Sequence, residues 1–343
     1  GMPLEKVRFH QIFTGGAFGG KLSNQQSNEA ARIAKLTGKP IQLVWSRDEE
    51  FLFDRLRHAA FIRIESGINA EGNMEMWDYN FYFGGGRGAR HFYDIPHHNT
   101  ISHRGPRGTM VHPFFTGPWR GPSNNTNTMA RESQIEIMAA ATGRDALQFR
   151  LDHLKGDQKM ARVLEKGAEK FGWIPAEGPG SRKPLDGPLQ RGYGIACGID
   201  AGTYIATFAE VDVNIETGHV QVVRTVISQD MGLVVNYQGA RIQAEGALIM
   251  GLGYALGEEV EFEGRKMLSS NFDNYNIAKF SWTPKIDVVF VDVQDEPPQG
   301  GGEPAIIAIG GATANAVFDA TGGRIFQLPI TKERVLNAIK DVT

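Results

Sequence analysis

Apolar and polar residues recur along the chain with the spacings of strands and helices. Alternation with a period of two predicts a strand, whereas apolar residues three and four positions apart predict an amphipathic helix. In the first half of the chain these patterns predict strand 7–14, helix 23–38, strands 41–45, 58–66 and 74–83, and helices 126–142 and 158–171. Gly38 and Gly143 are predicted helix ends, because glycine readily adopts the left-handed conformation that closes a helix. An Asn or Thr is expected to cap the start of the helix at 126.

The second half repeats the order strand, glycine loop, helix. The patterns predict a hairpin of strands 203–214 and 219–228, a helix at 236–256, a strand at 285–293, a glycine loop at 300–304 and a helix at 311–322. This mixture of strands and helices predicts an α+β, or mixed α/β, fold built as two lobes of mixed sheets with flanking helices.

Proline and glycine suggest where those lobes meet. Residues 174–190 hold four prolines and three glycines among polar residues, which is typical of a connecting segment. We therefore expect a first lobe at 1–173, a linker at 174–190 and a second lobe at 191–343. Within the first lobe, residues 84–122 predict a long irregular segment, and loops of that length are usually functional.

Composition narrows the class of protein. The chain has 343 residues, 41% hydrophobic residues and a net charge of −3, so there is no broad basic surface for nucleic acid. The lone Cys197 excludes an intrachain disulfide, a four-thiolate zinc site and an iron–sulfur cluster carried by this chain alone. No apolar run of about 18 residues and no signal-peptide pattern occurs, so a cytoplasmic and a periplasmic location both stay open. The abrupt entry into an apolar pattern after Gly1 and Met2 suggests a piece of a larger protein.

The glycine-rich run GGAFGGKL at 15–22 nearly matches a nucleotide phosphate loop. Leu22 stands where a magnesium-binding hydroxyl is needed, and the bulky Phe18 stands within the loop, which argues against a nucleoside triphosphatase. A glycine turn that only closes a strand against a helix is a second interpretation. We favour a loop whose backbone N–H groups face an anionic or oxo ligand, with Phe18 as a wall of the pocket.

Five histidines lie within the long irregular segment, namely His91, His97, His98, His103 and His112. They suggest a metal site, but none shows the helical i, i+4 spacing or the neighbouring carboxylate of a good ligand set. Histidines of an ordinary surface loop are the favoured interpretation.

Two charged residues stand beside glycines in places where a ligand could reach them. Glu303 lies between a glycine triplet and Pro304, so it is either presented to a pocket or is a loop carboxylate in water. Arg120 precedes Gly121 and the helix at 126, where it could bind an anion together with free backbone donors. Capping a neighbouring helix or pairing with Glu132 explains Arg120 equally well.

Taken in order, four blocks resemble the large subunit of the xanthine oxidase and aldehyde oxidase family, most closely the isoquinoline 1-oxidoreductase beta-subunit type. The first blocks are GGAFGGK and WRGPSNNTNTMARESQIEIMAAATGRDALQFRLDHL. The third is the hairpin and helix from TYIATFAEVDVN to MGLGYAL, and the fourth is GGGEP followed by ANAVFDATGGRIFQLPI. The resemblance covers nearly the whole chain.

Three departures from the family pattern change what the resemblance implies. Leu22 replaces the acidic residue that helps the xanthine oxidase branch to hold purines, so purine oxidation is not expected. AIIAIGG follows GGGEP where the family usually has a proline-rich stretch, and the family's Met-Gly-Gln-Gly loop is absent. In the isoquinoline type that loop lies in the N-terminal half, so this chain is expected to hold only part of a cofactor site.

The resemblance implies the C-terminal part of a molybdenum hydroxylase subunit that oxidises aldehydes or N-heteroaromatics with oxygen from water. It implies molybdopterin cytosine dinucleotide as cofactor, with molybdenum held by the pterin and not by side chains. Glu303 would be the catalytic base, and the cofactor-binding residues would be Gly16, Ala17, Phe18, Gly19, Arg120 and Gly302. The implied partners are a small subunit with [2Fe–2S] clusters and the missing N-terminal half of the molybdenum subunit. The isolated chain is expected to be inactive. The alternative is a truncated, non-catalytic binding or assembly module of the same fold.

Overall fold

The computed structural model describes residues 2–103, 112–291 and 293–342. The segment 84–122 is not irregular throughout as predicted, because residues 97–103 and 116–117 form strands, and its residues 104–111 lie outside the described residues. Within the described ranges the helices are α1 (Gln25–Thr37), α2 (Arg47–Phe53), α3 (Asn124–Thr142), α4 (Ala146–Asp152), α5 (Gln158–Phe171), α6 (Tyr237–Leu256), α7 (Ile309–Thr321) and α8 (Lys332–Lys340). The strands are β1 (Leu56–Arg57), β2 (Ala60–Ile68), β3 (Met74–Phe83), β4 (His97–His103), β5 (Thr116–Gly117), β6 (Leu189–Asp200), β7 (Thr203–Asn214), β8 (Val220–Asp230), β9 (Phe262–Glu263), β10 (Lys266–Met267) and β11 (Lys285–Phe290).

A four-stranded sheet in the order β11-β8-β7-β6 forms the centre of the second half. Strands β6, β7 and β8 run antiparallel as a meander, and β11 joins β8 in parallel. Alternate side chains of β6 enter two separate cores: Ala196 packs with α7, whereas Ile195 and Cys197 pack with the residues around α5. The sheet is therefore covered by α7 on one face and by α5 on the other, as expected for strands that are apolar on both faces.

Helix α7 lies unusually close to β6 because two glycines face it. A Cβ added at Gly192 would overlap the carbonyl oxygen of Ala316, and one at Gly194 would overlap that of Ala312. The helix backbone thus rests directly on the strand backbone, which only glycine permits.

A second sheet, in the order β2-β3-β4, belongs to the first half of the chain. Strands β2 and β3 form an antiparallel pair, whereas β3 and β4 are parallel. Its inner residues Trp77 and Tyr79 are fully buried and share a core with Phe149 of α4 and Phe208 of β7.

The mixed α+β fold predicted from the sequence is confirmed. Helices α3 and α5, which precede residue 174, pack against β6 and against β7 and β8 respectively. The two cores are thus built from residues on both sides of the predicted linker at 174–190. The division into lobes at 1–173 and 191–343 stays a prediction. Among the described residues, no helix combines the length and apolar character needed to cross a bilayer.

Two predicted strands are wrong for this chain. Residues 7–14 and 41–45 form no strand, and none of the residues described between 2 and 46 is buried. Phe9 and Phe13 are 73% and 108% exposed, and Val44 is 77% exposed. Alternation reports which side chains are apolar, but a strand also needs a neighbour to pair with, and the described residues supply none here. The predicted polar cap of α3 is also wrong, because Ser123 precedes the helix without a side-chain capping bond.

Candidate functional site

The loop that carries Glu303 is fixed at the turn between β6 and β7. The N–H of Gly300 donates to the carbonyl oxygen of Ala201 at 3.0 Å, and the Thr203 hydroxyl donates to the carbonyl oxygen of Gly300 at 2.5 Å. After Glu303, the buried Pro304 begins a short 3-10 turn that leads into α7. The Glu303 backbone is therefore held between the β6–β7 turn and the residues that lead into the buried helix α7.

The side chain of Glu303 is neither buried nor free in solvent. It is 41% exposed, and its Oε2 lies 3.1 Å from Nη2 of Arg87. A Cβ added at the preceding Gly302 would meet nothing within 4 Å, so open space lies in front of the loop. The carboxylate therefore stands beside a space that a ligand could enter.

Arg120 is buried to 6% exposure and binds the backbone next to Glu303. Its Nε donates to the carbonyl oxygen of Gly302 at 2.7 Å, and its Nη2 donates to Oε1 of Gln243 in α6 at 2.9 Å. Burial lowers the pKa of Arg120, and the nearby charge of Glu303 opposes that change. Pairing of Arg120 with Glu132, one of the interpretations of the sequence, is wrong, since Arg131 and Arg150 pair with Glu132.

The glycine loop 15–20 lies against the segment that precedes Arg120. The N–H of Arg120 donates to the carbonyl oxygen of Phe18 at 2.9 Å, and its guanidinium carbon lies 5.7 Å from the centre of the Phe18 ring. Gly19 has a φ of +114°, and a Cβ there would overlap the carbonyl oxygen of Pro118. Glycine is thus required at this position for the two segments to touch.

Lys21 does not behave as the lysine of a nucleotide phosphate loop. Its Nζ donates to the carbonyl oxygen of Gly16 at 2.6 Å, so the charged Lys21 side chain binds the backbone of its own loop. A Cβ at Gly16 would lie 2.6 Å from the Phe18 ring, and the carbonyl oxygen of Ala17 accepts from the Gly20 N–H at 3.0 Å. The loop is a compact turn that leaves Phe18 half-exposed.

The histidines do not converge on one point. His91 and His98 are in contact, with ring centres 4.7 Å apart, whereas His103 binds Asn80 and His112 contacts Phe114. Burial and the neighbouring His98 lower the pKa of His91 to about 4. In the part of the chain that the structure describes, no group of three His, Cys, Asp or Glu side chains could hold a metal ion.

Sequence reasoning missed Arg87 and Asp200, which lie beside Glu303. Nε of Arg87 lies 2.6 Å from Oδ1 of Asp200, and Asn124 donates to the same oxygen at 2.8 Å. The only signal for Arg87 is its place in the cluster GGGRG at 84–88, and nothing local distinguishes Asp200. The structure thus brings Arg120, Gly302 and Glu303 together, with loop 15–20 next to Arg120, and adds a second arginine, whereas the roles of these residues stay a prediction.

Two cavities differ in their relation to this site. A cavity of about 250 Å³ borders the Glu303 loop and the start of α6, and its walls include Gly301, Gln243 and Met231. A larger cavity of about 500 Å³ lies between β8 and α8 and contains none of the expected site residues. We regard the smaller cavity as the relevant one, because it adjoins both the Glu303 loop and a partner of Arg120.

Comparison with known proteins gives consistent matches. Two family models described as "Molybdopterin cofactor-binding domain" match residues 1–154 and 182–284. A nicotinate dehydrogenase polypeptide of Pseudomonas putida is 30% identical over 97% of this chain and 30% of its own length. The beta polypeptide of isoquinoline 1-oxidoreductase from Brevundimonas diminuta is 26% identical over 96% of this chain and 43% of its own length.

Solved structures show the same fold. Aldehyde oxidoreductase of Desulfovibrio gigas aligns with a TM-score of 0.81 at 16% identity, over 95% of this chain and 54% of that chain. Quinoline 2-oxidoreductase of Pseudomonas putida 86 aligns with a TM-score of 0.80 at 13% identity, over 95% of this chain and 68% of that chain. The chain therefore spans less than half the length of these two curated relatives. It spans about half of the aldehyde oxidoreductase chain and about two thirds of the quinoline 2-oxidoreductase chain.

Proposed function

The chain belongs to the molybdopterin cofactor-binding family of xanthine oxidase-type enzymes, and from this we propose that it is the C-terminal part of the catalytic subunit of a molybdenum hydroxylase. The observation that carries the proposal is the pair of hydrogen bonds through which Arg120 joins the glycine loop to the Glu303 loop. Loop 15–20, Arg120 and the Glu303 loop are far apart in the sequence and meet there. Each of them is distinguished in the sequence by its glycines or its charge.

The residues present fit a large, acceptor-rich cofactor. The side-chain Nδ2 of Asn125 is buried without a hydrogen-bond partner among the described residues, and open space lies before Gly302. We propose that Gly16, Ala17, Phe18 and Gly19 bind the cofactor on one side, and that Arg120 and Gly302 fix it on the other. The bound molybdenum centre supplies the two-electron oxidation chemistry that side chains lack.

Within that arrangement, Glu303 is the general base. Its carboxylate is half-exposed beside the open space, which is where a proton acceptor has to stand to reach a substrate. Arg120 holds the Gly302 carbonyl and so fixes the backbone from which Glu303 projects. Pro304, buried after Glu303, restricts the other side.

The substrate class follows from the cavity and the relatives. The cavity beside Gly301 is lined mainly by apolar side chains such as Met231 and Leu233, which suits a small, weakly polar molecule. The named relatives act on nicotinate, isoquinoline or, in Gluconacetobacter polyoxogenes, aldehydes. We propose an aldehyde or an N-heteroaromatic compound as substrate.

The finer assignments of cofactor and electron acceptor rest on the family. We propose the cytosine dinucleotide form of molybdopterin and a small partner subunit with [2Fe–2S] clusters. The single Cys197 is buried and hydrogen-bonded to Tyr93, so this chain offers no set of thiolates for such clusters, which supports their placement on a partner.

A further polypeptide segment is proposed to complete the site. Residues 7–14 and 41–45 have the alternation of strands but no partner strand among the described residues, and α1 buries none of its residues. A region equivalent to the N-terminal half of the relatives' molybdenum subunit would cover these apolar side chains. The same exposed surface supports the second candidate, a non-catalytic module of this fold. With either candidate, we expect the isolated chain to be inactive.

Replacement of Glu303 by Gln in the complete, cofactor-loaded enzyme tests the proposed function. The amide keeps the size of the side chain but cannot act as base, so molybdenum content should stay near normal while the rate of substrate oxidation per molybdenum falls about 10²–10⁴-fold. Glu296→Gln is the matched control. It removes a carboxylate that pairs with Lys159 and lies in the chain just before the Glu303 loop. Near-normal substrate oxidation per molybdenum in Glu303→Gln would remove Glu303 from the mechanism, whereas absence of molybdenum from the assembled wild-type protein would favour the non-catalytic module.

A further inference from the structure

Arg87 stands between two carboxylates at the edge of the site. Its Nε lies 2.6 Å from Oδ1 of Asp200, and its Nη2 lies 3.1 Å from Oε2 of Glu303. We propose that Arg87 is a positioning residue for Glu303, which it holds by one carboxylate oxygen while the other stays available for the proton. This inference rests on the proposed function and adds a residue to the machinery of that site.

The backbone of Arg87 is fixed to helix α3. The side-chain Nδ2 of Asn127 donates to the carbonyl oxygens of Gly85 and Arg87 at 3.1 and 2.9 Å. The buried Arg131 donates from Nη1 to the carbonyl oxygen of Gly88 at 2.6 Å. Three hydrogen bonds from buried side chains therefore fix the short glycine segment from which Arg87 projects, although the arginine side chain is itself 41% exposed.

Asp200 anchors the guanidinium from behind. It is the last residue of β6, its side chain is fully buried, and Asn124 donates to its Oδ1 at 2.8 Å. Burial raises the pKa of Asp200, whereas the bond from Asn124 and the charge of Arg87 act in the opposite direction. The buried carboxylate of Asp200 therefore limits the positions that the Arg87 guanidinium can take. A half-exposed arginine is seldom held in this way, because most exposed ion pairs are weak.

The pair uses only one of the two oxygens of Glu303. Oε2 faces Arg87, and Oε1 has no hydrogen-bond partner among the described residues. The charged groups that act on Glu303 are Arg87 from the loop 84–88, Arg120 from the segment before α3, and Asp200 from β6. A guanidinium at this distance orients the carboxylate through Oε2 and leaves Oε1 directed to the open space.

The first test needs neither cofactor nor activity. In the purified chain, carboxyl groups are labelled with a water-soluble carbodiimide and glycine ethyl ester, and the rate at Glu303 is measured by peptide mass spectrometry. Arg87→Met should raise that rate severalfold because the ion pair no longer shields the carboxylate. Arg90→Met, an exposed arginine of the same segment, is the matched control and should leave the rate unchanged. Thermal unfolding monitored by circular dichroism checks that each variant is folded.

The second test uses the complete, cofactor-loaded enzyme. Arg87→Met should lower kcat by about tenfold, which corresponds to about 1.4 kcal/mol, while KM changes little. Arg87→Lys restores the charge without the fork, so it should bring back part of the kcat that Arg87→Met loses.

The outcomes separate this inference from the proposed function. If Arg87→Met changes neither the labelling of Glu303 nor kcat, the positioning role is wrong while the proposed function stands. Faster labelling with an unchanged kcat would also overturn the role, because the pair would then be incidental to turnover. If Glu303→Gln retains turnover, the proposed role of Glu303 as base is wrong and this inference is overturned with it.

Discussion

Arg150 and Glu132 form an ion pair in which neither side chain is exposed to solvent, with Nε of Arg150 3.1 Å from Oε2 of Glu132. The same guanidinium donates from Nη1 to Glu136 at 2.8 Å, and burial raises the pKa of Glu136 while Arg150 opposes that change. Arg131 adds a second buried cation, 3.0 Å from Glu132. Helix α3 thus joins α4 and β6 through charges that are almost completely buried.

We expect Arg150→Met to destabilise the fold strongly. Methionine fills similar space, but it leaves Glu132 and Glu136 buried without a full set of partners, and removal of one member of a buried pair costs about 3–5 kcal/mol. Urea unfolding followed by circular dichroism measures the free energy. Lys166→Met, which removes an exposed pair with Glu169, should change it by less than about 1 kcal/mol. Equal effects of the two substitutions would contradict this view of the network.

Gly19→Ala should separate the glycine loop from Arg120. The left-handed backbone disfavours alanine by about 1–2 kcal/mol, and the new methyl group would overlap the carbonyl oxygen of Pro118. Because the residues described between 2 and 46 bury nothing, global stability should barely change, whereas the amide of Arg120 should exchange with deuterium faster. Gly15→Ala is the control, since a Cβ there meets nothing within 4 Å. Unaltered exchange at Arg120 in Gly19→Ala would show that the contact is not needed.

His91 should make stability depend on pH. Burial and His98 lower its pKa from 6.5 to about 4 in the folded protein, so between these values the unfolded chain binds the proton and the folded chain does not. Stability is therefore lost as the pH falls from about 6.5 to about 4. His91→Phe should flatten that part of the curve, measured as the slope of the unfolding free energy against pH. His97→Gln, with a side chain 74% exposed, should keep the slope, and a His91→Phe curve as steep as the original would rule His91 out.

Local signals explain which parts of the structure the sequence predicts. The predicted bounds of helices α1, α5 and α7 lie within a few residues of the observed ones, because apolar spacing and a closing glycine such as Gly322 act within one helix. The strands predicted at 7–14 and 41–45 are wrong because a strand depends on a partner elsewhere in the chain or outside it. Their alternation is real, but it describes side chains and not backbone pairing.

In the site too, local features are predictable from the sequence and tertiary contacts are not. Glu303 and Arg120 are recognisable in the sequence because each stands beside glycine, which is a local feature. The contact of Arg120 with Gly302 and the bridge from Asp200 through Arg87 to Glu303 depend on the tertiary fold. No spacing along the chain encodes that bridge, since its three residues lie on a loop, a strand end and a second loop.

The two glycines beneath α7 have a consequence for how such a site can change over time. Gly192 and Gly194 set the separation between β6 and α7. Glu303 is joined to α7 by the short turn that begins at Pro304. A methyl group at either glycine would overlap the backbone of α7, and we expect the helix to move and the carboxylate with it, although both glycines lie in the first half of β6 and Glu303 lies beyond its end. In a saturation screen for turnover, these positions should therefore tolerate almost no substitution. We therefore expect substitutions that change substrate preference to lie in the loops around the site and not at these two glycines, which fix the spacing of the two layers.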